Sequence, residues 1–401
     1  MSAGSALAAG KRADPHLAAE AVSKALQRAG LSRAEAVLLY LSPEFCSGGA
    51  LAAEAVLSAA RAAQSMQIAG AVTAGVFTEE GFSLERPCAA ALVLGDGLGF
   101  VTSANRHEDA LPENRDAGIS EALPGTSSGL IHVSSPRLSF FSDAAFTRAG
   151  FFPEDSPEDM PHLGCISGTP AQSAVAPVWQ QGRAGTAHPA HIVIAGADAE
   201  ILVCHGFRSL GPIHHFLRTH GRNLLSVDND TALQSLLREL PAALCREGSP
   251  PLRALFALVG MDPDADASPE KLLANGRFHA LPLLAANPDG SLELGARLPE
   301  GRPLFWALRQ PETTAAETQT RLASLSVASP SFALAFSCLG RGPFLYDGKD
   351  LDLKAFTQRF PGTPLLGAYC VEQVFPQSPP APSIRKIQNA FTLALFSASL
   401  R

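Results

Sequence analysis

Ala36 to Leu41 is an unbroken apolar run, AVLLYL, set between two segments whose apolar residues recur at helical spacing. A strand wetted on one face alternates apolar and polar side chains, whereas a strand covered on both faces does not. The run therefore predicts a layered α/β structure. Its flanks agree. Leu17, Ala21, Val22, Ala25 and Leu26 share one helical face over 15–30, and Gly30 is a natural stop. An Ala-rich helix is predicted over 50–66. A short strand follows over 67–75, running into a glycine-containing turn, and another buried strand over 88–94.

The chain then changes character. Residues 103–190 are rich in Pro, Gly and Ser, which predicts loops around 105–128 and 168–190, with a strand at 129–133 and a helix over 142–149 between them. Residues 191–204 read as a hairpin of two apolar runs around Gly, Ala and Asp. From Asp230 the regular pattern restarts: a helix over 231–240 capped by Asp230 or Thr231, a strand over 251–259, and a strand pair around the turn-forming 287–291. A long amphipathic helix over 311–327, a strand over 331–338, a helix over 350–360 and strands over 363–370 and 388–399 complete it. A chain of 401 residues has room for two or three domains. We place the division at this restart, giving domains 1–230 and 231–401. The expected fold is two mixed-sheet α/β domains packed together, with a ligand cleft near strand ends or at the domain interface.

A weak internal echo accompanies the pattern. An apolar approach, a glycine and a small residue recur at Ile68-Ala-Gly70-Ala71, Leu163-Gly164-Cys165 and Leu366-Gly367-Ala368. Each reads as a strand ending in a permissive turn.

Charge and composition exclude several functions. The net charge is −7 and the basic residues are scattered, so no face suited to duplex phosphates is expected. No run approaches the roughly 20 apolar residues of a membrane span, and the first residues lack the basic start of a signal peptide. Seven widely spaced cysteines without a CxxC fit neither a disulfide framework nor a zinc knuckle. A cytoplasmic location is expected.

Three segments resemble the FIST proteins, a prokaryotic family with paired N-terminal and C-terminal FIST domains. Gly70-Ala-Val-Thr-Ala-Gly75 and the residues after it look like the family's Gly-Cys-x-x-x-Gly segment, with Ala71 where Cys is usual. His205-Gly-Phe-Arg-Ser-Leu-Gly-Pro212, with Thr219 to Asp228, is similar to the junction between the two domains. Phe336-Ser-Cys-Leu-Gly-Arg-Gly342 with Pro361 to Tyr369 resembles the Cys-x-Gly-Arg-Gly and G-x-Y core of the C-terminal domain. One departure stands out. The family's Gly-x-Gly-Glu turn after Tyr369 is replaced by Cys370-Val-Glu-Gln373, where Glu372 holds the acidic position and the glycines are gone. The resemblance implies sensing of a small metabolite, an amino acid or other small carboxylate, with the signal passed to a partner such as a histidine kinase. A family branch described as haem-binding nitric-oxide sensors makes haem the alternative ligand.

Each candidate site has a structural alternative. In Cys338-Leu-Gly-Arg-Gly342, Gly340 and Gly342 would let main-chain amides approach an anion, and Arg341 offers a planar fork for a carboxylate. The alternative is a tight turn whose arginine pairs with an internal acid. Tyr369 and Glu372 join this group through the resemblance. Thr73 and Gly75, with Thr78 and Glu79, could recognise an ammonium group or simply start a turn. Arg208 either lines a cleft or bridges a junction. His205, His214, His215 and His220 could supply a haem ligand, yet match no zinc signature. Cys338 lacks a partner base that would mark it as a nucleophile. The nucleophile-elbow, dinucleotide and P-loop patterns are missing from the sequence, so binding rather than catalysis is expected.

Overall fold

The computed structural model describes residues 2–46, 50–102, 130–134, 137–142, 162–167, 176–186, 189–245, 250–260, 268–276, 278–298, 301–376 and 384–398. The loop predicted over 105–128, and the helix predicted over 142–149 apart from Ser142, fall outside these ranges. The chain separates into two compact units. The first comprises 1–124, 130–203 and 321–401, and the second 125–129 and 204–320. The units are not sequential, because the last stretch of chain returns to the first unit.

The first stretch of chain supplies β1 (Ser2–Ala9), α1 (Pro15–Ala29), β2 (Ala36–Leu41), α2 (Leu51–Ala63), β3 (Ile68–Val72), the hairpin β4 (Gly75–Thr78) and β5 (Gly81–Ser83), and β6 (Cys88–Gly95). Asp14 caps α1 by accepting from His16 N, Pro15 occupies its first turn, and Gly30 ends it in the left-handed conformation. A second stretch supplies β7 (Gly99–Thr102), β8 (Leu130–Ser134), β9 (Arg137–Ser142), β10 (His162–Ser167), the hairpin β11 (Val178–Gln180) and β12 (Arg183–Gly185), and β13 (Ala190–Ala195). A third opens with β14 (Ala197–Cys204) and is interrupted by the second unit.

That unit holds β15 (Phe207–Ser209), β16 (Leu217–His220), β17 (Asn223–Val227), β18 (Asp230–Thr231), α3 (Ala232–Glu239), β19 (Leu255–Gly260), α4 (Pro269–Asn275), β20 (Phe278–Ala286), β21 (Leu292–Leu294) and β22 (Leu304–Arg309). Its sheet runs β15-β22-β19-β20-β21-β17-β16, and its described pairings are antiparallel. Thr231 closes a capping box with Gln234 at the start of α3. After α5 (Pro311–Ala323), the third stretch resumes with β23 (Phe332–Cys338), α6 (Gly342–Leu345), α7 (Leu351–Arg359), β24 (Leu365–Cys370), the hairpin β25 (Glu372–Pro376) and β26 (Ile384–Ile387), and β27 (Phe391–Ala398).

The three stretches are one design repeated. In each, a first strand lies beside the last (β1 by β6, β7 by β13, β14 by β27), and a parallel pair follows (β2 with β3, β9 with β10, β23 with β24). The hairpin of each repeat is donated to another repeat's sheet. Hairpin β4–β5 completes the sheet of β24, β11–β12 that of β3, and β25–β26 that of β10. The three sheets are thus linked in a cycle.

The glycine echo marks equivalent positions in this cycle. Gly70, Gly164 and Gly367 stand opposite Leu39, Ser139 and Ala335 of the parallel neighbour. A Cβ at Gly70 or Gly164 would lie 1.9 Å from the carbonyl oxygen of Leu39 or Ser139, which no side chain tolerates. The next residues along the first strands, Tyr40, Phe140 and Phe336, meet in one core drawn from all three sheets. The Tyr40 ring lies 5.8 Å from Phe140 and 6.2 Å from Phe336. The apolar run at 36–41 is therefore buried on both faces, but by α1 and α2 outside and by two other sheets inside, rather than by helices on both sides.

Candidate functional site

Three equivalent strand ends can be compared residue by residue, because the register is shared. On the outer face, the last in-register pair of the first repeat is Leu41 with Val72, and that of the second is Phe141 with Ile166. Both are apolar and buried in apolar clusters. In the third repeat the same pair is Ser337 with Tyr369. The Ser337 hydroxyl is buried with no hydrogen-bond partner among the described residues. A buried hydroxyl without a partner costs on the order of 1–3 kcal/mol, so its presence calls for a reason.

Tyr369 leads into a polar cluster. Its hydroxyl donates to Asp350 Oδ2. Asp350 caps α7, its Oδ1 accepting from Leu353 N at 2.9 Å. Within the first turn, Asp352 receives Arg341 Nε at 2.7 Å on Oδ2, Arg341 Nη2 at 3.1 Å on Oδ1, and the Tyr346 hydroxyl at 3.1 Å on Oδ1. Burial first, and then the neighbouring Asp352 carboxylate, hold the Asp350 carboxyl above its usual range. Burial and then Asp350 push the Tyr369 hydroxyl up as well, so it stays a donor. Among the described residues, the guanidinium of Arg341 balances Asp352 in a bidentate ion pair, and Asp350 forms no ion pair of its own.

The glycines around Tyr369 make room for its ring. Gly75 stands opposite Tyr369 in the sheet, and a Cβ there would reach Leu84 at 2.4 Å and the Tyr369 ring at 3.1 Å. A Cβ at Gly342, where φ is +23°, would lie 2.6 Å from the same ring. Phe77 and Phe82 flank it, with ring centroids 4.8 and 6.2 Å away. Gly340, Phe344 and Val371, near it in sequence, are exposed.

Several expectations are corrected here. Arg341 does not border an open anion cradle: its guanidinium and the Asp352 carboxylate are both fully buried and locked together. The tight turn is the better description, since Arg341 N donates to Cys338 O across it. Gly340 sits exposed in that turn, and Gly342 accommodates a ring rather than an anion. The Thr73 hydroxyl donates to Gly75 O, and Thr78 Oγ1 accepts from Glu80 N, so both serve local turns. Glu79 accepts from Ser5 Oγ and Leu365 N, fastening β1 to β24. Glu372 lies on β25 in the second repeat's sheet, where its carboxylate accepts from Gln388 Nε2. Arg208 belongs to the second unit, exposed on edge strand β15.

The structure therefore brings together Gly75, Arg341, Gly342 and Tyr369, and adds Ser337, Tyr346, Asp350 and Asp352. The sequence held one signal for these additions: Ser337 is the polar residue in an otherwise apolar strand. Asp350 and Asp352 read only as the start of a helix.

The four histidines singled out in the sequence lie apart from this cluster, in the second unit. His214 has Nδ1 at 2.7 Å from Asp228 Oδ2 and Nε2 at 2.8 Å from Glu239 Oε1, the second contact close but poorly aligned for a hydrogen bond. Both ring nitrogens thus face carboxylates. His205 is buried edge-on against Phe278, and His215 and His220 are exposed. Among the described residues no His, Cys, Asp and Glu cluster is arranged to hold a metal, and no helix is long and apolar enough to cross a membrane.

Comparison with known proteins adds the family. The FIST N domain matches residues 35–230 and the FIST C domain residues 225–375. A comparison with curated proteins gives no match.

Proposed function

Since the chain belongs to the FIST family, whose domains are associated with signal transduction and small-ligand sensing, we propose that it senses a small amine-bearing metabolite, an amino acid in the first instance, at the third repeat's strand ends. The observation that carries this is Asp350, a buried carboxylate whose neighbouring guanidinium is already held by Asp352. A ligand ammonium would supply the missing positive charge and release the carboxyl from its raised range. The Tyr369 hydroxyl orients Asp350, and the Ser337 hydroxyl on the same face offers a further hydrogen bond. Arg341 acts as the buttress that fixes Asp352 and the turn. A binding event here would reach a signalling partner, of which a histidine kinase is the kind the family suggests.

Thermal-shift titration tests the proposal. Amino acids and simple amines should raise the melting temperature, and carboxylates without an amine should not. At about 100 times Kd, the stabilisation is about 2.7 kcal/mol. Asp350→Asn keeps a good helix cap and removes the charge, so it should fold and lose the shift. Equal shifts with amine-free carboxylates, or a full shift in Asp350→Asn, would overturn the assignment.

A further inference from the structure

The inner face of the same strand ends carries a second difference between the repeats. Continuing the register, the first repeat has Ser42 beside Thr73, the second Ser142 beside Ser167, and the third Cys338 beside Cys370. The hydroxyls work as fasteners. Ser42 Oγ accepts from Cys88 N, Thr73 Oγ1 donates to Gly75 O, Ser142 Oγ to Thr186 O and Ser167 Oγ to Val72 O. Thiols are poor substitutes for that task. Cys338 Sγ instead lies 3.9 Å from Val371 O, and Cys370 Sγ lies 3.6 Å from Ser337 O. Each sulfur thus leans toward the residue next to the other cysteine.

We propose that Cys338 and Cys370 form a peroxide-sensitive dithiol that closes to a disulfide across β23 and β24. Both are free thiols. Neighbouring strands run about 4.8 Å apart, inside the roughly 4.4–6.8 Å between Cα atoms that a disulfide spans. Cys338 is 7 % exposed and Cys370 1 %, with exposed Gly340 and Val371 beside them in sequence, so a molecule as small as hydrogen peroxide can reach Cys338 first.

The chemistry balances. The Cys338 thiolate attacks one peroxide oxygen, the O–O bond breaks, and the departing hydroxide takes the thiol's proton to become water. The resulting sulfenic acid is attacked by the Cys370 thiolate. The S–S bond forms as the S–O bond breaks, and hydroxide leaves with the second thiol proton as another water. Two electrons pass from the thiols to the peroxide. Burial, then Cys165 and Cys338, hold the Cys370 thiol well above its ordinary value, which makes it the slower, resolving partner. The closed bond would pin the Cys338–Arg341 turn to the end of β24, the two segments that hold Tyr369 and Arg341.

The test is peroxide treatment of the native protein, followed by alkylation under denaturing conditions and peptide mass spectrometry. The expected product is a Cys338–Cys370 cross-link lighter by two hydrogens and reversed by dithiothreitol. In Cys370→Ser, whose new residue occupies the equivalent position in the second repeat, Cys338 should stop at a sulfenic acid that dimedone captures. The double variant Cys338→Ser/Cys370→Ser should fold and give no cross-link. Full alkylation of both thiols after peroxide, or a cross-link between Cys165 and Cys370, would overturn the pairing.

Discussion

The first and third repeats share strand order, register and the borrowed hairpin, yet they finish their parallel pairs in opposite ways. In the first, Leu41 and Val72 close the outer face with hydrocarbon under α2. In the third, Ser337 and Tyr369 occupy the same two places and lead to Asp350, Asp352 and Arg341. One backbone plan therefore serves as scaffold at one end and carries polar chemistry at the other. The copies differ in the chemistry they place at equivalent positions, which no single copy reveals.

The comparison can be broken most severely at Arg341. Arg341→Ala would leave the Asp352 carboxylate buried without its cation, and should cost about 3–5 kcal/mol in urea denaturation. A loss under about 1 kcal/mol would mean that Asp352 does not depend on Arg341, and the buttress role would fail. Nearly as large is Leu41→Ala in the first repeat, where a buried leucine lost from a packed face should cost about 2–5 kcal/mol. A small loss there would show that the first repeat's strand end is not the hydrocarbon seal described.

A smaller effect outside the repeats sharpens the reading of both variants. Burial alone would lower the His214 pKa, but contacts with Glu239 and Asp228 outweigh it and raise the value above its ordinary range. A raised folded-state value means that its stabilisation is whole below about pH 6.5, the unfolded value, and is lost as pH rises through the folded one. Thermal melts from pH 6 to 9 should show this decline in the second unit, and His214→Gln should flatten it. Identical slopes in both proteins would remove His214 as the cause. A pH-marked transition separates the second unit's unfolding from that of the repeats.

The smallest effect is the most discriminating. Ser337→Ala removes a buried hydroxyl that has no partner among the described residues, so the unliganded protein should be unchanged or up to about 1 kcal/mol more stable. The amino-acid thermal shift should shrink at the same time. A Ser337→Ala protein with clearly lower stability and an intact shift would return Ser337 to a structural role, as at Leu41.

Much of the architecture was legible because it is local. Runs at 36–41 and 332–336 are apolar throughout, so their burial on both faces follows from residue type. The glycine echo was legible too, and it turned out to mark equivalent places in three sheets. The cyclic exchange of hairpins was not, since β4 pairs with β24 across most of the chain and alternation cannot name a distant partner. The site was legible in part for the same reason. Tyr369 and Gly75 came from the family motifs, while the fate of Arg341 depended on Asp352, whose place follows from how α7 packs. A fork-shaped cation looks the same in sequence whether it waits for a ligand or is already held.

The borrowed hairpins have one more consequence. The last strands of the chain before β27, β25 and β26, finish the sheet of β10 rather than their own. Damage inflicted near the chain's end would thus be suffered in its middle, and damage at β4 and β5 near its start would be suffered at its end. Each copy holds a piece that another copy lacks, so the trio stands or falls as a single body.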